Sequence, residues 1–372
     1  MTIHLSQNIQ DLLSSLNNYS TADKIKSMEV ATCSVIDILN LHSSRWRSLN
    51  LTATEDTLER FSSLAEPKQL VALDLTATTC RNIAHTLPKF MVESKLNLTH
   101  LKLTKFPLTS INIRWDNITH ATFSNIAISE GVDFLRRATS LEFYCVVMYG
   151  SHDVGFVNPI LHHRLRSFEV SPGYRLQSVL EALNLPSLEE WTIDVGLGHT
   201  AMAAMQALLK RSGSRLKVLN LHRLHPSSEH LYTLLQSTPS LERMRLIPFQ
   251  TSACDFPLEI LTQILCPGPG SSDISVGSAT SASFLPHLQV IEFVKAGPFP
   301  WGRIQRLCRQ GHRRALKLKV STAQANITDD TALQLLRLTE EGVKLQIVDL
   351  TSGEDFLQNF KKREEVRAGC LV

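Results

Sequence analysis

The chain has 372 residues, 43% of them hydrophobic and 20% charged, with a formal net charge of +3. That is too much apolar material and too little charge for a disordered chain, and the dispersed Lys and Arg residues argue against a nucleic-acid partner. No stretch approaches the ~18 apolar residues of a membrane span, and Met1-Thr-Ile-His-Leu-Ser lacks the basic region and apolar run of a secretion signal, so the expectation is no membrane and a cytoplasmic or nuclear location. Seven cysteines (Cys33, Cys80, Cys145, Cys254, Cys266, Cys308 and Cys370) form no C-x-x-C pair and are expected as reduced thiols.

In chain order, Ile3-His-Leu5 reads as the strand of an incomplete unit, and Ala22 to Leu41 as a long amphipathic helix. A hexapeptide Leu-x-x-Leu-x-Leu, with other apolar residues as stand-ins, then begins at Trp46, Leu70, Leu98, Leu108, Ile118, Ala138, Leu165, Leu188, Leu216, Leu241, Leu288, Ala315 and Leu345. Most copies start roughly 20 to 30 residues apart, the period of leucine-rich repeats. The fourth and sixth residues of each copy share one face because side chains alternate along a strand, and the first is swung inward by the preceding turn. One such strand cannot bury its own apolar face, so neighbours stack around a continuous core.

Stretches of helical periodicity lie between the hexapeptides: Thr54 to Ala65, Ser129 to Ala138, Tyr174 to Leu183, His199 to Ser212, Ser227 to Ser237 and Thr328 to Glu340. Ser227-Ser-Glu-His and Thr54-Glu-Asp-Thr carry the hydroxyl and acidic first turn of a capped helix. Two places break the period. The copies at Leu108 and Ile118 follow too closely for intervening helices, so turns alone should join them while the inner sheet continues. Between Leu241 and Leu288, Pro267-Gly-Pro-Gly-Ser-Ser and Ser278-Ala-Thr-Ser-Ala-Ser predict a flexible insertion at about 267–284 within a single domain, 1–372.

The stretch Leu108-Thr-Ser-Ile-Asn-Ile-Arg-Trp-Asp-Asn-Ile-Thr-His-Ala-Thr-Phe, continuing to Ala138, resembles the repeat region of the fungal F-box/leucine-rich-repeat proteins. His42-Ser-Ser-Arg-Trp-Arg-Ser-Leu49, Leu185-Pro-Ser-Leu-Glu-Glu-Trp191 and Leu208-Leu-Lys-Arg-Ser-Gly213 resemble it too, in the same order. The resemblance implies an α/β fold, an irregular leucine-rich-repeat solenoid of the ribonuclease-inhibitor-like kind. It further implies a client-binding surface and, where an F-box is present, docking to a Skp-type adaptor and cullin of a ubiquitin ligase. The chain opens inside the repeats without an F-box, so a stand-alone scaffold is the alternative. The Asn or Cys expected three residues after the last apolar position is mostly missing: after Ile118 that offset falls on Ile126, with Asn125 one residue early, which predicts irregular loops there.

Several motifs have a plainer structural explanation. Phe256-Pro-Leu-Glu-Ile-Leu-Thr-Gln-Ile-Leu265 looks like the opening of an F-box, but one amphipathic helix accounts for its spacing. Gly196-Leu-Gly-His-Thr-Ala201 has the strand-to-helix setting of a dinucleotide fingerprint without its acidic partner. His162-His163 near Asp153 has no third ligand at a usable interval, and sequons at Asn97, Asn117 and elsewhere read as chance occurrences. No catalytic residue, cofactor or metal is expected, and the protein should not be an enzyme. The third and fifth hexapeptide residues should form a concave protein-binding face that includes Glu142, Glu169, Glu190, Arg243, Arg245, Glu292, Lys317 and Lys319. Glu142 to Arg245 is expected to serve as a client-docking patch whose alternating sign sets orientation and on-rate.

Overall fold

The computed structural model describes residues 2–5, 36–53, 67–77, 95–149, 159–171, 176–194, 199–224, 228–248, 285–294, 301, 304, 315–320 and 327–369. They form a mixed α/β fold that divides into two compact units, Met1–Leu183 and Asn184–Val372. The proposed insertion at 267–284, the F-box-like segment 256–265, the turn 196–198, the helix over 54–65 and residues 22–35 of the first helix lie outside the described residues, as does Asp153.

The first unit contains β1 (Thr2–Leu5), β2 (Ser48–Ala53), β3 (Ala72–Ala77), β4 (His100–Thr104), β5 (His120–Ala127), β6 (Phe143–Tyr149), the two-residue β7 (Ile160–Leu161) and β8 (Ser167–Ser171). Apart from β7, each strand pairs in parallel with the next. The register aligns Leu49, Leu73, Leu101, Ala121, Tyr144 and Phe168 in one buried row and Leu51, Leu75, Leu103, Phe123, Val146 and Val170 in another. These are the fourth and sixth hexapeptide positions. Apolar residues meet like residues because parallel pairing preserves the alternation from strand to strand.

Helix α1 (Ile128–Arg137) makes the crossover from β5 to β6 that parallel pairing requires. Its buried stripe is Ile128, Val132, Phe134 and Leu135. Glu130 in its first turn accepts from the Ala127 and Leu108 backbone N–H groups at 3.4 and 3.1 Å, and Arg136 and Arg137 occupy the last turn, each charge matching the helix dipole. Phe134 meets Phe123 edge-on at 4.6 Å, and Tyr144, flanked by Phe123 and Phe168, donates its hydroxyl to the Gly131 carbonyl at 3.2 Å. A buried phenol needs such a partner.

After α2 (Leu176–Ala182) and the two-residue β9 (Leu183–Asn184), the second unit repeats the plan. Its strands are β10 (Glu190–Asp194), β11 (Val218–Leu224), β12 (Arg243–Pro248), β13 (Val290–Phe293), β14 (Ala315–Val320) and β15 (Lys344–Asp349), again parallel in chain order. Helices α3 (His199–Ser212) and α4 (Ser228–Gln236) pack together, while α5 (Asp329–Glu340) and α6 (Phe356–Gly369) pack on β15. The Thr328 hydroxyl accepts from Thr331 N–H at 3.4 Å and so caps α5.

The inward swing of the first position is visible in most copies, but Ala315, the first residue of its copy, is exposed. Trp46, Leu70, Leu98, Ile118, Leu165, Leu188, Leu216, Leu241 and Leu288 are each at most 2% exposed. Three frames need correction. The copy at Leu108 adds no strand to the sheet: Leu108–Ser110 is a 3-10 turn, Ile113 bridges to Leu96, and β4 pairs directly with β5. Its apolar residues are buried, but in a connection. The copy assigned to Ala138 begins at Leu141, because Phe143 pairs with His120; Tyr144 and Val146 are then its inward residues. The last copy begins at Lys344, not Leu345, because Gln346 pairs with Lys317. Its sixth position is Asp349, whose carboxylate accepts from Ser352 N–H at 2.7 Å in the turn after β15.

The expected irregularity after the strands has a specific form. Lys105, Asn125 and Arg223 have φ of 56°, 63° and 49°, and each is the eighth residue of its frame. At Asn125 and Arg223 the strand register shifts. There the left-handed residue bulges the strand and pairing resumes at Ile126 and Leu224; Asn tolerates that conformation better than Lys or Arg.

Candidate protein-binding face

The third and fifth positions alternate with the buried ones, so they form the outward strand face of each unit. In the second unit the third-position row is Glu190, Val218, Arg243, Val290, Lys317 and Gln346, and the fifth-position row is Thr192, Asn220, Arg245, Glu292, Lys319 and Val348. Six of the eight expected site residues fall in these rows. Glu190 and Arg243 are exposed, Arg245, Lys317 and Lys319 half-buried, and Glu292 is 9% exposed. Glu292 is buried because it lies between two cations: Lys319 donates to Oε1, and Arg245 Nε is 3.8 Å from Oε2.

Cross-strand pairing therefore neutralises part of the charge on this face. Arg223 holds Asp194 through its guanidinium and Asn220 donates to Thr192 Oγ1 at 2.8 Å, while Lys217 pairs with Glu189 at 3.0 Å from the second positions beside these rows. Such pairs are worth little on a solvated surface but fix rotamers. What is left over is directional. Across β12, β13 and β14, Arg243, Arg245, Lys317 and Lys319 surround the single carboxylate Glu292, and Arg243 and Lys317 have no ion-pair partner among the described residues. The patch on β12, β13 and β14 is basic around one carboxylate.

No protein-family model matches this chain, and no curated protein sequence matches it.

In the first unit, Glu142 is the second residue of its corrected frame and lies outside the third- and fifth-position rows; it is exposed, and its N–H donates to Thr119 O at 2.8 Å. Glu169 occupies the fifth position opposite Cys145. Burial, the Glu169 charge and a thiol hydrogen bond to that carboxylate push Cys145 up to about 12. The rest of the outward face of β6 is apolar: Phe143, Val147 and Tyr149, the last two 42% and 46% exposed.

The sequence reading missed a more ordered feature. Asn97-Leu-Thr-His100 and Asn117-Ile-Thr-His120 are the same tetrapeptide pattern on adjacent strands, and Asn117 donates to Asn97. Thr119 Oγ1 donates to Thr99 O, and Thr99 Oγ1 to Val71 O, both at 3.2 Å. The His100 and His120 rings stack at 4.5 Å with planes 9° apart, and Phe143 continues the row 6.0 Å beyond His120. The two sequons are thus structural ladders, and their recurrence at one repeat interval was the available signal. Of the histidine pair considered earlier, His162 is buried and hydrogen-bonded to Ala138 O at 2.8 Å, while His163 is exposed. No helix among the described residues is long and apolar enough to cross a membrane.

Proposed function

We propose that this chain is a leucine-rich-repeat solenoid of the ribonuclease-inhibitor-like kind that acts as a protein-binding module and not as an enzyme. The observation that carries this reading is the basic patch of Arg243, Arg245, Lys317 and Lys319 around Glu292, held on paired strands whose inward faces are packed. A rigid outward surface with surplus positive charge suits an acidic segment of a client protein, and long-range attraction there raises the association rate more than it deepens affinity. The resemblance to fungal F-box/leucine-rich-repeat proteins supports client recognition for a cullin-based ubiquitin ligase through a Skp-type adaptor.

The test is affinity capture from fungal lysate with the chain and with an Arg243→Glu/Lys317→Glu variant, both side chains lying outside the core. The expected result is a client with an acidic segment, retained by the parent and lost by the variant at low salt. Co-capture of the Skp-type adaptor and cullin would support the ligase reading; the client without them would leave a scaffold. Equal capture by both proteins would remove this patch as the binding surface.

A further inference from the structure

Next to the basic patch of the second unit lies a cavity that the charged residues alone do not explain. Its volume is about 610 Å³, within the ~300–1,000 Å³ of pockets that hold ligands. Val290, Lys317 and Gln346 of the third-position row line it, so one lysine borders both the patch and the cavity. The other walls include Leu316 of β14, Leu345 of β15, Leu336 of α5 and Leu357 of α6. Lys344 and Lys361, both exposed, line it as well, and like Lys317 they have no ion-pair partner among the described residues. The carboxylate in the wall, Asp355, accepts from the N–H groups of Leu357 and Gln358 at 3.0 and 3.2 Å and is thereby engaged in capping α6.

We propose that this cavity takes a large apolar side chain, leucine- or phenylalanine-like, from the same acidic client segment that the basic patch attracts; the inference rests on that reading of the patch. Charge complementarity sets the sign of the segment, since Arg243, Lys317, Lys344 and Lys361 repel a basic one. Register sets its length. Arg243 and Gln346 stand three strand spacings apart in one row, about 14 Å, and an extended segment rises about 3.3 Å per residue, so about four or five residues reach from one to the other. The acidic residues and the apolar one therefore belong to one short stretch.

The two contacts differ in effect. Solvated charges steer the encounter and add little once the segment is bound. An apolar side chain taken out of water into a walled cavity supplies binding energy, and it selects among acidic sequences that the charges alone would treat alike.

The experiment is fluorescence anisotropy of the full chain at low salt with labelled short peptides in which an acidic triplet lies two positions from Leu, Phe, Ala or Gln, in either order. The Leu or Phe peptides should bind about tenfold or more tighter than the Ala and Gln peptides. Ala315→Trp, at an exposed residue in the cavity wall, should abolish that preference by filling the space, while the weaker binding of the acidic triplet persists. Gln358→Trp, on the α6 side of the same cavity, serves as a second filling variant, and circular dichroism checks the folding of both. Equal binding of all the acidic peptides, lost in Arg243→Glu/Lys317→Glu, overturns the anchor and leaves the patch. Failure of every acidic peptide to bind overturns the patch reading itself, and the anchor with it. Sedimentation that shows the parent as a dimer and the filled variants as monomers puts a second copy in the cavity and overturns the proposal.

Discussion

Single residues on the outward face are set by what lies across the strand. Lys105 and Asn125 hold the same left-handed position, but only Asn has a side chain suited to it. Lys105→Gly should therefore raise stability by about 0.5–1 kcal/mol in urea unfolding, since left-handed backbone costs a non-glycine residue about 1–2 kcal/mol and glycine returns part of that gain as entropy. Asn125→Gly should change it little. Cys145 is a thiol held protonated beside Glu169, so it should resist alkylation at pH 8 in the folded chain; Glu169→Gln, which removes the neighbouring charge, should speed its modification. A mass-resolved alkylation time course on that peptide checks both. Glu292→Gln should cost about 1–3 kcal/mol, because it takes the charged acceptor from Lys319 and leaves Arg245 beside a second cation. None of these settings is readable from one strand alone: Cys145 to Glu169 and Glu292 to Lys319 are contacts of register, between residues more than twenty positions apart.

At the scale of elements, the apolar rows are the stabilising unit. Leu219 lies between Trp191 and Met244 in the fourth-position row and is fully buried, so Leu219→Ala should cost about 2–5 kcal/mol, measured as a shift of the urea midpoint. The helices over His199 to Ser212 and Thr328 to Glu340 were legible because each pairs helical spacing with a buried stripe or a hydroxyl cap. The final helix, Phe356–Gly369, was not: Lys361 to Glu365 form an unbroken charged run in its middle, and Leu357 and Phe360 are the residues it buries. The frames at Ala138 and Leu345 slipped for a related reason. Ala138 and Leu141 are both buried, one ending a helix and the other starting a strand, so an apolar pattern three residues out of phase fits equally well until pairing selects one.

At the scale of the whole molecule, acid should weaken the fold through its histidines. Burial holds His162 below its usual 6.5, with His163 adding to that and the Ala138 hydrogen bond opposing it, and His100 is lowered as well. Below pH 6.5 the unfolded chain binds protons at these sites that the folded chain does not, so this contribution to stability is complete above 6.5 and lost as pH falls through 6.5 toward the lower folded values. Urea midpoints at pH 7.5 and 5.5 should show the loss, and it should be smaller in His162→Gln; a slope unchanged by that substitution would clear His162 of the effect. By itself the sequence determined that the chain is α/β, that its strands recur roughly every 20 to 30 residues, and, outside the frames at Leu108, Ala138 and Leu345, which residues turn inward, because periodicity and side-chain alternation are local properties. Only the tertiary structure decided which outward residues meet. It paired Glu292 with Lys319 and Arg245, left Arg243 and Lys317 without ion-pair partners among the described residues, and laid His100 against His120. Those neighbours are set by the register between strands, and register follows from how the buried rows pack.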